Sequence, residues 1–79
     1  MTEALLPDGD HDAFVIDVHD ATEEGRRTQR LELTVIAGEA KGSVVAVLVD
    51  SPLGDQMDLI GMPATITVRN GEPSVTIDR

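Results

Sequence analysis

The chain has 79 residues, enough for one domain, and 15 acidic against 6 basic side chains give it a formal charge of −9. A field of that sign repels nucleic acid and anionic membranes and draws in basic partners. Having no cysteine excludes disulfides, thiol nucleophiles and cysteine metal sites, and a single aromatic residue, a phenylalanine, leaves little for stacking on bases.

Residues 1–12, MTEALLPDGDHD, read as a flexible acidic N-terminal arm ahead of one domain over 13–79. They lack the basic run of a signal peptide, and no apolar run in the chain reaches transmembrane length. Asp8-Gly9-Asp10-His11-Asp12 opens like a calcium loop. Ala13 then stands where such a loop needs glycine, and His19 where it needs a bidentate glutamate, so an acidic linker is expected.

Residues 13–20 alternate as a strand, with Phe14, Ile16 and Val18 on one face and Ala13, Val15, Asp17 and His19 on the other. Phe14 is then most simply a core residue. His11 and His19 have acidic neighbours, but no third and fourth ligands follow at a recognised spacing, so no metal and no cofactor is expected. Residues 21–29, ATEEGRRTQ, read as a polar loop. Arg26, Arg27 and Arg30 are half of the basic residues and form either an anion patch or a solvated loop neutralised by Glu23, Glu24 and Glu32.

From Arg30 to Ala37 the pattern has period two, with Leu31, Leu33, Val35 and Ala37 on one face. Gly38 and Gly42 bracket a hairpin loop. Residues 44–49, VVAVLV, are apolar throughout, as in a strand covered on both faces or one that crosses between layers. Residues 55–60, DQMDLI, suit one or two helical turns with Asp55 as N-cap, and Met57 and Ile60, or Leu59, closing an apolar opening. Ala64, Ile66 and Val68 then alternate inward, Asn70-Gly71 is a hairpin signal, and Val75 and Ile77 point inward on the return strand.

Five strands with a short helix between the third and fourth resemble an OB-fold, an all-β Greek-key barrel, across residues 13–78. The closing run Leu59-Ile60-Gly61-Met62-Pro63-Ala64, then Asn70-Gly71-Glu72-Pro73, is similar to the end of OB domains of the tRNA-anticodon-binding type. Val35-Ile36-Ala37-Gly38-Glu39-Ala40-Lys41-Gly42 resembles, in part, the KOW motif of ribosomal and elongation-factor barrels. There a further glycine and basic residues follow, where this chain has Val44, Val45 and acidic surroundings. The OB resemblance implies a ligand face on the second and third strands and their flanking loops: Arg26, Arg27, Arg30, Glu32, Thr34, Arg69 and Asn70.

An enzyme is not expected, because Ser43, Ser51 and Ser74 sit at strand starts or in loops with no histidine beside them in sequence, and no other nucleophile is apparent. The expectation is a cytoplasmic protein-interaction or assembly module. Its partner would be a protein, basic in character, or a second copy paired through an edge strand, with no role at a membrane. The alternative is a single-stranded nucleic-acid-binding OB protein that uses an arginine patch.

Overall fold

The computed structural model describes residues 6–78. Five strands form one antiparallel sheet: β1 (Gly9–Glu23), β2 (Arg26–Val35), β3 (Val44–Val49), β4 (Pro63–Arg69) and β5 (Glu72–Ile77). A single helical turn, α1 (Gln56–Leu59), lies between β3 and β4. The all-β architecture with a small helical insertion is therefore as expected. The strand order is β3-β2-β1-β4-β5, and no ladder joins the two edge strands among the described residues.

The central strand, β1, is 15 residues long and serves two neighbourhoods. Its first part, Gly9 to Phe14, pairs with β4, while Ala13 to Glu23 pairs with β2. The acidic segment expected to be a free arm is thus, from Gly9 on, the start of a strand. Its side chains stitch it down. Asp8 accepts the backbone N–H groups of Asn70 and Gly71 at 3.0 and 3.1 Å, and Asp10 accepts the Thr67 hydroxyl at 2.9 Å. His11 Nε2 donates to the Pro7 carbonyl at 2.7 Å. Leu6 packs on the core, and the rest of the predicted arm, residues 1–5, lies outside the described residues.

A second departure is a β-bulge. The register with β2 runs Val15↔Leu33 and then Asp17↔Glu32, so Ile16 is the extra residue. Alternation resets there. Ala13, Val15 and Val18 are buried, whereas Phe14 and Ile16, expected in the core with Val18, are 41% and 44% exposed. The bulge turns Ile16 and Asp17 both outward and hands the inward position to Val18.

The predicted polar loop over 21–29 is instead the far end of a β1–β2 hairpin. Glu23 faces Arg26 across a two-residue turn at Glu24 and Gly25, with φ of 51° and 79°. Positive φ at both central residues is the turn whose twist matches a hairpin. Asn70 and Gly71 make the same turn between β4 and β5, as their sequence predicts.

The core lies on the inner face: Val15 and Val18 from β1, Leu31, Leu33 and Val35 from β2, Val45 and Val47 from β3, and Ala64, Ile66 and Val68 from β4. Val75 and Ile77 of β5 pack at its margin. β3 is covered on one face only, since Val44 and Leu48 are 50% and 61% exposed. Leu59 is the residue of α1 that enters the core, while Met57 and Ile60 stay in solvent.

One buried polar side chain ties the connections together. Gln29, fully buried on the inner face of β2, donates through Nε2 to the Gly54 carbonyl at 3.0 Å and to Asp20 Oδ1 at 2.8 Å. Its Oε1 accepts the Leu53 N–H at 2.9 Å. The segment leading from β3 into α1 is held by these bonds. Gln56 of α1 in turn donates to the Val18 carbonyl on β1.

Candidate functional site

The outward face of β1, β2 and β3 is built from three cross-strand rows. Phe14, Thr34 and Val44 form one, Asp17, Glu32 and Ala46 the next, and His19, Arg30 and Leu48 the third. Neighbours within each row are direct register partners, so their side chains stand within reach of each other. The face has apolar margins in Phe14, Ile16, Val44 and Leu48, and a charged centre of Asp17, His19, Arg30 and Glu32.

The charged centre is tightly arranged. His19 Nε2 lies 3.0 Å from Asp17 Oδ2 and 4.0 Å from Glu32 Oε2. Arg30 Nη1 lies 3.4 Å from the same Glu32 oxygen. Asp17 also accepts the Val18 N–H through its other carboxylate oxygen at 2.9 Å. Asp17 and Glu32 are direct ladder partners, an arrangement of like charges that is unfavourable unless a positive group sits between them.

Of the predicted face, Arg30, Glu32 and Thr34 do come together, on the outer side of β2. The others divide. Arg26 and Arg27 stand at the tip of the β1–β2 hairpin, opposite Glu23 and Thr22, and Arg26 Nη2 lies 3.9 Å from Asp50. Arg69 and Asn70 sit at the β4–β5 turn, beside Asp8 and the start of β1. The two groups therefore flank opposite ends of the fifteen-residue β1, and the arginines do not make one patch.

Sequence reasoning missed Phe14, Ile16, Asp17 and His19 as members of this face. The bulge at Ile16 leaves no mark in an apolar alternation that continues on both sides of it. The available signals are Asp17 and His19, polar side chains that simple alternation would have placed on the face of Val15.

No helix among the described residues is long and apolar enough to cross a membrane. Compared with known proteins, the chain matches no family model, no curated protein and no solved structure.

Proposed function

We propose that this chain is a non-enzymatic protein-interaction or assembly domain of OB-like form that engages a basic partner on the outer face of β1, β2 and β3. The observation that carries the reading is the composition of that face. Four large apolar side chains, Phe14, Ile16, Val44 and Leu48, stand exposed around a charged centre on one continuous sheet surface. Several large apolar side chains exposed together on one face are the usual mark of a docking surface. The charge of −9 favours a basic partner by steering encounter.

The barrel form has its own support. The spatial order β4-β1-β2-β3 matches the order expected of a Greek key and supports that form. The two edge strands, β3 and β5, also approach each other, so that pairing them would close the sheet. A cytoplasmic setting, compatible with the lack of cysteine, belongs to the same proposal.

Single-stranded nucleic acid is the competing ligand. The division of the arginines between the two ends of β1 and the pairing of Arg26 and Arg30 with carboxylates weigh against it.

Two measurements test the proposal. A labelled mixed single-stranded oligonucleotide, titrated at low salt and followed by anisotropy, should give a flat response. Saturable, salt-sensitive binding would favour nucleic acid instead. A photo-crosslinking residue placed at Leu48 should yield a discrete protein adduct in cells that express the chain, and one at Ser74 on β5 should not. Equal labelling from both positions would remove the face from consideration. An adduct of twice the chain's mass would identify a second copy as the partner.

A further inference from the structure

The geometry points to a divalent transition-metal site of the zinc class at Asp17, His19 and Glu32, independent of the protein-interaction reading. Each residue offers one ligand atom, and the three atoms lie within 4.8 Å of one another. One imidazole nitrogen with two carboxylate oxygens is a donor set that zinc accepts, leaving a fourth position for water.

The two distances from His19 are close to what the ion needs. Ligands about 2.1 Å from a tetrahedral ion stand about 3.4 Å apart. His19 Nε2 is 3.0 Å from the Asp17 oxygen and 4.0 Å from the Glu32 oxygen, one pair slightly tight and the other slightly open. The side chains of Asp17 and His19 are about half exposed, so rotation about their own torsions can make the adjustment.

The backbone supplies the preorganisation. The bulge at Ile16 brings Asp17 onto the outer face, opposite Glu32 in the ladder and two residues from His19. Two carboxylates facing each other directly across a ladder repel, and a cation between them relieves that repulsion. Arg30, with Nη1 3.4 Å from Glu32 Oε2, already places positive charge beside the site and competes with an ion for the same oxygen.

The test is isothermal titration of zinc ion into the full chain, backed by histidine NMR. The expected result is saturable one-to-one binding with the His19 ring resonances perturbed. His19→Gln, Glu32→Gln and Asp17→Asn should each weaken binding at least tenfold, since even losing an outer-shell partner costs about that much. His11→Gln, which alters the other histidine, should leave binding unchanged. Arg30→Gln should bind at least as tightly as the parent, because a competing cation is gone. Absence of a saturable isotherm would overturn the assignment. So would binding that His19→Gln leaves intact, which would reflect only the diffuse acidic surface. These variants sit on an exposed face, and unchanged circular dichroism checks their fold.

Discussion

Replacing Gln29 with leucine should destabilise the domain by about 2–4 kcal/mol, although leucine is apolar, similar in size and placed in an apolar core. Gln29 is fully buried, and its amide serves three partners: Asp20, Leu53 and Gly54. Asp20 is exposed and can turn to water. The Leu53 N–H and the Gly54 carbonyl are backbone groups in a half-buried segment, and each loses the bond that Gln29 supplies. Each lost bond in this segment costs about 1–3 kcal/mol, offset in part by local opening to solvent. A 79-residue domain has a total stability of about 4–12 kcal/mol, so the loss is a large share. With no tryptophan or tyrosine to report, the assay is urea unfolding followed by far-ultraviolet circular dichroism. At a slope of about 1 kcal/mol per molar urea, the midpoint should fall by about 2 M or more. Gln29→Glu should be worse, since it sets a carboxylate against both Asp20 and the Gly54 carbonyl. A Gln29→Leu midpoint within about 0.5 M of the parent would refute the idea that this side chain holds the β3–α1 connection.

Two further outcomes are expected in the same assay. Gly71→Ala should cost about 1–2 kcal/mol through backbone strain alone, because φ is +79° and a new Cβ would meet nothing within 4 Å. Phe14→Ser should change stability by less than about 1 kcal/mol, as suits a side chain 41% exposed, while Val47→Asp, at a position only 4% exposed, should unfold the chain. If Phe14→Ser proved as damaging as Val47→Asp, the bulge at Ile16 would be misplaced.

The regular parts of this sheet were legible because their alternation is undisturbed. Leu31, Leu33 and Val35 on β2, and Ala64, Ile66 and Val68 on β4, point inward as period two demands, and Asn70-Gly71 turns as its residues require. Three features were hidden, each for a physical reason. One extra residue at Ile16 inverts the facing of Phe14 relative to Val18, and an apolar run conceals the slip. The far end of the β1–β2 hairpin, residues 20–27, has solvent on both faces, so it keeps the composition of a loop while pairing as a ribbon. Val44 and Leu48 made β3 look covered on two sides, and their exposure is what makes the outer face noteworthy. The charged centre was equally hidden, because it forms across a ladder, between residues 11–15 positions apart in sequence.

The double service of β1 bears on the order in which the molecule assembles. Its pairing with β2, and that of β2 with β3, close through short turns, as does the pairing of β4 with β5. Only the stretch from Gly9 to Phe14 joins β1 to β4, by contacts such as Gly9 with Val68 that span most of the chain. Loop-closure entropy makes such contacts the slow ones, so two locally formed pieces should dock along this seam late in folding. The acidic side chains of Asp8 and Asp10, which bond to the β4–β5 turn and to Thr67, then act as the latch on a joint between two independently nucleating halves.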